Sequence, residues 1–219
     1  MGVFLTFEGI DGCGKSTQIE LLRRKLKEKH VETCVTREPG GTEAGRLIRK
    51  ILLGTSCNIN EYAQLFMFLA DRVQHLEEVI RPALKEGRWV LCDRFVESTI
   101  AYQGYGLGVS IDFIQYIHRE ILNNTWPDAT LLIDCPVKIA RKRLKIRLKG
   151  VADGAKSNFD DRYEKRSFEF QERLRNGYLE LAKRHPERIF LLDGTKDPHV
   201  VHKEIVRVLH KKKLWPSEI

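Results

Sequence analysis

The stretch from Phe7 to Thr17, Phe-Glu-Gly-Ile-Asp-Gly-Cys-Gly-Lys-Ser-Thr, restricts the fold of this chain more than any other part of it. It holds the spacing Gly-x4-Gly-Lys-Ser at Gly9, Gly14, Lys15 and Ser16. The apolar run Val3-Phe4-Leu5 precedes it, and a helix-like segment with Ile19, Leu22 and Leu26 on one side follows it. Strand, loop and helix in that order make a phosphate cradle. Glycines let the main chain come close to an anion and take positive φ, and the helix start adds unpaired N–H groups and its positive dipole end. The backbone from Gly9 through Ile10, Asp11, Gly12, Cys13 and Gly14 to Thr17 is therefore the candidate phosphate-binding loop. Lys15 is placed to reach the β- and γ-oxygens, and Ser16 to ligate Mg²⁺. A glycine turn that merely joins a strand to a helix is the plainer reading, but the full spacing in this context favours phosphate. The loop does not name the acceptor.

A chain of 219 residues with 42% hydrophobic content is long enough for one well-cored domain, read here as 1–219 with a lid at about 147–162. No apolar run approaches bilayer length. The start Met1-Gly2-Val3-Phe4 lacks a basic region followed by a signal-like core, so the expectation is a cytoplasmic protein with no membrane partner. Cys13, Cys34, Cys57, Cys92 and Cys135 are scattered and form no Cys-x-x-Cys pair, which suggests reduced thiols rather than a disulfide framework or a zinc site. Lys and Arg number 38 against 30 Asp and Glu. The excess gathers at Arg141 to Lys149 and at Lys211-Lys212-Lys213. The first run lacks interleaved aromatics and a helix-turn-helix signature, which weighs against a nucleic-acid partner, and the second is most simply a solvated helix end where cations suit the dipole.

Past the loop, Lys15 to Lys29 reads as an amphipathic helix and Val31 to Thr36 as a strand, a parallel βαβ beginning. Arg37-Glu38-Pro39-Gly40-Gly41-Thr42 then falls at the carboxyl end of the second strand. Ligands bind at that edge in α/β sheets, although an ordinary turn with a surface ion pair fits as well. Glu43 to Leu53 is helical. Glu61 to Glu86 is one long or broken helical region, with Pro82 setting a boundary near Ile80 or Arg81. Within it Phe68 and Arg72 share a face and suit a flat base, while Phe68 by its periodicity alone reads first as core. Trp89 to Asp93 is an apolar strand ending in an acid, a metal-serving position near a P-loop, and Arg94 beside it suits a transferring phosphate. Ser98, Thr99, Tyr102 and Gln103 line a short helix that closes at a glycine-rich turn. Ile111 to Asn124 reads as a helix and Ala129 to Asp134 as a strand. A helix from Val137 runs into the basic patch, and the glycine-bearing stretch 150–158 is the lid candidate, with Arg147, Lys149, Lys156 and Arg162 on or beside it. A helix to about Arg184, a strand over Ile189 to Asp193 and a helix over His199 to Lys212 complete the chain.

The motifs at 7–17, 36–42, 68–72, 93–95, 98–104 and 161–164 together resemble the bacterial type of the thymidylate kinase family, in the family's order and over nearly the whole chain. The resemblance implies a three-layer α/β P-loop fold, with five parallel strands in the order 2-3-1-4-5, and transfer of the γ-phosphoryl group of ATP to dTMP. It also implies Mg²⁺ held through Ser16 and Asp93, and a homodimer. It places Asp11 near the sugar and acceptor phosphate, and Arg94 and Arg37 on that phosphate. Phe68 would stack on the base, Arg72 would bond its O4 edge, and Thr99 and Gln103 would complete the base contacts. Tyr102 would pack on the deoxyribose C2′ and Arg143 would lie on the adenine side. Glu38, Ser98 and Tyr163 fall within the matching motifs and belong to the same acceptor set. Some family members carry an arginine where this chain has Gly12. The missing cation is then expected from the lid, Arg147 first, with Lys149 and Arg162 behind it, so that Lys15, Arg94 and Arg147 form the catalytic set.

The chemistry agrees with that expectation. A monophosphate is already ionised near neutral pH, so phosphoryl transfer to it needs positioning and charge neutralisation but no general base. A nucleoside kinase would need a carboxylate beside a neutral hydroxyl, a role that Glu8, Asp11 or Glu38 leaves open. A P-loop switch without catalysis is the remaining alternative.

Overall fold

The computed structural model describes residues 2–54, 58–149, 162–163 and 166–216, with the side chains of 148 and 149 excepted. Five parallel strands form one sheet: β1 Phe4–Glu8, β2 Thr33–Arg37, β3 Trp89–Asp93, β4 Ala129–Asp134 and β5 Ile189–Asp193. Their order is β2-β3-β1-β4-β5, as expected. Every residue of β1 is buried, Thr6 and Glu8 included. Since successive side chains point to opposite faces, both faces of the centre are covered by helices, the usual condition of a parallel sheet. Edge strand β2, by contrast, has no buried residue. The polar Thr6 is accommodated by a hydroxyl contact of 2.9 Å with Thr130 on neighbouring β4.

The helices are α1 Lys15–Glu28, α2 Glu43–Leu53, α3 Glu61–His75, α4 Arg81–Lys85, α5 Val96–Thr99, α6 Ile111–Leu122, α7 Val137–Lys149, α8 Phe168–Arg184 and α9 Pro198–Lys211. Local chemistry fixes several of their starts. The Thr42 hydroxyl accepts from the Gly45 N–H, Asn60 from Tyr62, Ser110 from Phe113 and Ser167 from Phe170. Between α3 and α4 the helix widens to π geometry over Leu76–Ile80. Arg81 donates to Leu76 five residues back, and Pro82, which has no N–H to give, falls in the first turn of α4. The break expected at Ile80 or Arg81 is thus a change of winding. A second π segment, Ile100–Gly106, follows α5. α1 and α9 pack on each other, while α8 packs on β4, β5, α5 and the second π segment.

This topology carries the carboxyl ends of all five strands to one edge, where ligands bind in open α/β sheets. Register brings Phe7, Arg37 and Asp93 level with one another across β1, β2 and β3. The chemistry-bearing residues that follow these strands therefore meet although the sequence scatters them.

Candidate active site

The loop after β1 curls through Gly12 and Gly14, at φ 85° and 115°. Gly14 is the residue on which α1 begins, in a left-handed conformation that glycine takes without cost. At Gly12 a Cβ would stand 2.4 Å from the carbonyl oxygen of Ala140, so bare backbone is what lets α7 approach the loop. The absence of a side chain at Gly12 and the arrival of α7 cations at the loop are two aspects of one packing. From α7, Arg143 donates to the carbonyls of Gly194 at 2.8 Å and Cys13 at 3.4 Å, tying the loop to the turn after β5.

A cleft of about 1360 Å³ opens over this loop. Lys15, Ser16, Arg94, Arg143 and Arg147 all face it. Lys15 is buried, and its ammonium group donates to the carbonyls of Gly9 at 3.0 Å and Ile10 at 3.2 Å. The side chain of Ile10 belongs to the core, so this residue offers the site only its backbone. The Ser16 hydroxyl is 3.5 Å from Asp93 Oδ2, and Asp93 Oδ1 is buried without a hydrogen-bond partner. A hydroxyl beside a carboxylate with an unsatisfied oxygen suits a hard divalent cation that keeps most of its ligands as water and phosphate. Among the described residues no cluster of His, Cys, Asp and Glu makes a protein-only metal cage.

The cleft narrows into a slot lined by Phe68, Arg72, Phe95, Thr99, Tyr102 and Gln103, with Pro39, Leu53 and Tyr163 beside them. Asp11, Glu38, Arg49, Leu53 and Arg94 border both compartments. At this junction Arg94 stands on a left-handed backbone, φ 71°. Its guanidinium lies 2.5 Å from Asp11 Oδ1, shares the two protons of its other Nη among Gly9, Ser98 and Tyr178 at 3.1 Å each, and stacks 5.1 Å over the ring of Tyr102. The Tyr102 hydroxyl donates to the other oxygen of Asp11 at 3.1 Å. Burial alone would raise the Asp11 carboxyl, but Arg94 and Lys15 beside it hold it well below the usual carboxylate range. Asp11 is therefore charged throughout the physiological range.

The floor of the slot is a closed polar network around Arg72, which is 1% exposed. Nε and one Nη group meet Glu38 Oε2 at 2.8 and 2.6 Å. The remaining N–H groups reach Thr99 Oγ1 at 2.9 Å, His118 Nε2 at 2.5 Å and the Phe95 carbonyl at 2.8 Å. All five guanidinium donors thus have partners. A guanidinium only donates, so His118 Nε2 must accept and its proton must sit on Nδ1. Burial and Arg72 together push this imidazole well below its ordinary pKa. Glu38 is further held by His75 Nδ1 at 2.9 Å, and His75 Nε2 is 2.6 Å from the Thr36 hydroxyl. Asp71 accepts from the Gly40 N–H at 2.9 Å, and burial, then Glu38, raises its carboxyl to about 6. Asp71, Arg72 and His75 on α3 therefore hold the Glu38 to Gly41 turn, and its acid is buried rather than part of a surface ion pair. On the other wall Tyr163 donates to Gln64 at 2.5 Å and accepts from Gln103 at 3.2 Å. Its ring meets Tyr102 edge-on at 5.2 Å and Phe68 at 6.4 Å.

Two expectations about cations change. Arg162 donates to the carbonyls of Leu52 and Gly54, and its own N–H bonds Leu53, so it caps the end of α2 and borders neither compartment. Arg72 is fully committed within the protein, so a bond to a base edge has to be shared with one of its present partners. Ser98 is likewise engaged, with Glu8 and Arg94. Arg37 is exposed at the cleft rim and Arg147 faces the same cleft. Lys149 lies at the end of α7 with its side chain outside the described residues, as does all of Lys156. The sequence reading missed Arg46, Arg49 and Lys50, which line the cleft from α2, and Lys196 and Val201 on the α9 side. No local motif marks these residues. Their spacing on an amphipathic helix reads as a solvated face.

A P-loop cleft joined through a shared Asp–Arg pair to an aromatic-walled slot fits a phosphotransferase that moves a phosphoryl group from a nucleotide donor to a flat acceptor. The comparisons narrow the class. The family model described as thymidylate kinase matches residues 7–205. A thymidylate kinase of Geotalea daltonii is 45% identical over 195 residues, 89% of this chain and 90% of that one, and one of Kosmotoga olearia is 44% identical over 94% of each. The crystal structure of thymidylate kinase from Ehrlichia chaffeensis superposes with a TM-score of 0.73 at 33% identity, covering 95% of this chain and 98% of that one. The chain belongs to the thymidylate kinase family. It is an enzyme that transfers the γ-phosphoryl group of ATP to dTMP, giving dTDP.

Proposed function

We propose that the two compartments are the donor and acceptor sites of this reaction, and that Asp11 and Arg94 mark the point of transfer. The observation that carries this reading is that, among the residues bordering both compartments, these two are paired with each other, at 2.5 Å. ATP lies in the cleft with its phosphates on the backbone from Gly9 to Thr17 and on Lys15, and with Arg143 toward the adenine. dTMP enters the slot base first, its ring against Phe68, its edge toward Arg72, Thr99 and Gln103, and its deoxyribose on Tyr102. Its phosphate meets Arg94, with Arg37 at the rim. The acceptor oxygens are ionised without help, and the barrier is lowered by holding donor and acceptor in line and spreading charge over Lys15, Arg94 and Arg147. Mg²⁺, held through Ser16 and Asp93 when bound, supplies charge neutralisation at the donor phosphates. Chelation is expected to abolish turnover and added Mg²⁺ to restore it; full activity in chelator would remove the metal from the reaction.

The pre-paired slot also speaks to specificity. Buried groups that are already partnered penalise an acceptor that disturbs them. Comparing dTMP, dUMP, CMP, GMP and thymidine in one coupled assay tests this. dTMP is expected to lead and the purine nucleotide to fail, whereas equal use of CMP and dTMP would contradict the assignment of the slot.

The enzyme is also proposed to be a homodimer. α3 and α6 expose Tyr62, Phe66, Phe113 and Tyr116, and Phe113 meets Tyr62 and Phe66 at ring separations of 6.3 and 6.5 Å. An aromatic cluster of this kind favours a protein partner, and a second copy is the simplest one. Light scattering should give twice the chain mass, and Phe66→Glu should halve it; a monomeric parent protein would end the idea. Cytoplasmic action is inferred from the ATP requirement, and among the described residues no helix is long and apolar enough to cross a membrane. Activity recovered mainly with a membrane fraction would oppose it.

A further inference from the structure

We propose that Glu8 is a positioning residue for Arg94: it holds the left-handed turn on which Arg94 stands, and it orients the two hydroxyls that accept from the Arg94 guanidinium. The inference rests on the reading of Arg94 as the cation at the point of transfer.

Glu8 is the last residue of β1, is 0% exposed and borders neither compartment, so it cannot touch a substrate. Four donors nevertheless converge on it. Oε1 accepts from the Phe95 N–H at 2.7 Å and the Ser98 N–H at 3.3 Å. Oε2 accepts from the Ser98 hydroxyl at 2.6 Å and the Tyr178 hydroxyl at 3.2 Å. The two backbone bonds grip the chain immediately after Arg94. A non-glycine residue at φ 71° is unfavourable and persists only where its surroundings over-determine it. The Arg94 N–H bond to Phe7 fixes one side of that turn, at 3.0 Å, and Glu8 fixes the other.

The hydroxyl bonds carry the second half of the argument. Each hydroxyl has one proton. Burial, then Glu97, raises the Glu8 carboxyl to about 7; in its ionised form it can only accept, so the short contact commits the Ser98 proton to Glu8, and that of Tyr178 points to Glu8 or, at 2.8 Å, to Ser98 Oγ. Both oxygens therefore turn lone pairs toward Arg94, which donates to each at 3.1 Å. Burial, and then Glu8, pushes the Tyr178 phenol well above its ordinary pKa, so it remains a donor. Arg94 is consequently aimed by a carboxylate that never meets it directly, with Asp11 on its far side.

Glu8→Gln keeps the shape of the side chain but replaces one acceptor oxygen with an amide donor that faces both hydroxyls. Steady-state kinetics of this variant, alone and combined with Arg94→Ala, form a double-mutant cycle. Turnover with dTMP is expected to fall by about 10- to 100-fold while the KM for ATP stays within about twofold. In the Arg94→Ala background the same change should cost less than about threefold, because the group it positions is gone. Equal loss in both backgrounds, or wild-type turnover in Glu8→Gln, would overturn the proposal. If Arg94→Ala itself turned over normally, both this inference and the role of Arg94 would fall. Should Glu8→Gln not fold, Tyr178→Phe preserves the buried ring and removes only the hydroxyl. It is expected to lower turnover by about three- to tenfold in the parent and not in Arg94→Ala; an equal drop in both would again refute the positioning role.

Discussion

The donor cleft and the acceptor slot adjoin, yet they are built by opposite means. The cleft is wide, and its floor comes from one continuous stretch, Asp11 to Gln18, with cations of α2 and α7 on its walls. The slot is narrow, its walls come from the turn after β2, α3, the second π segment and Tyr163, and its polar groups are paired before any acceptor arrives. A site made of backbone needs little from the rest of the fold beyond a strand and a helix. A site made of buried side chains is part of the core, and changes to it act on folding as well as on binding.

Arg94 joins the two regions, so the largest effect is expected there. Arg94→Ala should reduce turnover by about 10²- to 10³-fold, the scale of losing one preorganised charge at the transferring group. Binding of a non-hydrolysable ATP analogue should change by no more than about twofold. An equal loss of analogue affinity, read by calorimetry, would show that Arg94 belongs to the donor cleft alone.

The next effect concerns stability and separates the regions by sign. The Asp71 carboxyl behind the slot is raised from 3.8 to about 6. Between these values the folded protein binds more protons than the unfolded one, so this group's contribution is present at low pH and is lost as pH rises through the window. Its size is up to about 3 kcal/mol. Asp11 at the junction is lowered, so its contribution is present above the ordinary aspartate pKa and is lost only as pH falls below it. Denaturation midpoints of Asp71→Asn should therefore lose the decline expected of the parent between pH 4 and 6; an unchanged decline would assign it elsewhere. The smallest effect belongs to the cleft. Arg143→Ala removes donors to two carbonyls at the loop and should raise the KM for ATP by about three- to tenfold with little change in the KM for dTMP.

The same contrast explains what the sequence made legible. The P-loop, the five strands, their order and the acid at the end of β3 could all be read, because each is local or follows from a short-range pattern or a family motif. The strand at 31–36 came out at Thr33–Arg37, a small slip at an edge strand with no buried residue to anchor the alternation. The π winding at Ile100–Gly106 was invisible, since hydrophobic periodicity does not resolve a shift from four to five residues per bond. Arg72 and Phe68 could be named, but the partners of Arg72 lie 23 to 46 residues away, so its saturation could not. Tyr178 is 170 residues from Glu8 and reads in the sequence only as one apolar position of a helix. The place of Arg162 was hidden for a related reason: its charge suggested phosphate, and its bonds to the last carbonyls of α2 span more than 100 residues.

The claim that the slot is a pre-built acceptor site, separate from the donor cleft, is tested most directly by calorimetric binding of dTMP and of an ATP analogue to Arg72→Ala. Breaking the buried Arg72–Glu38 pair should weaken dTMP binding by about 100-fold or more while the analogue, which also reports that the P-loop is folded, binds within about twofold of the parent. Parallel loss of both affinities in a protein that still unfolds cooperatively would contradict it.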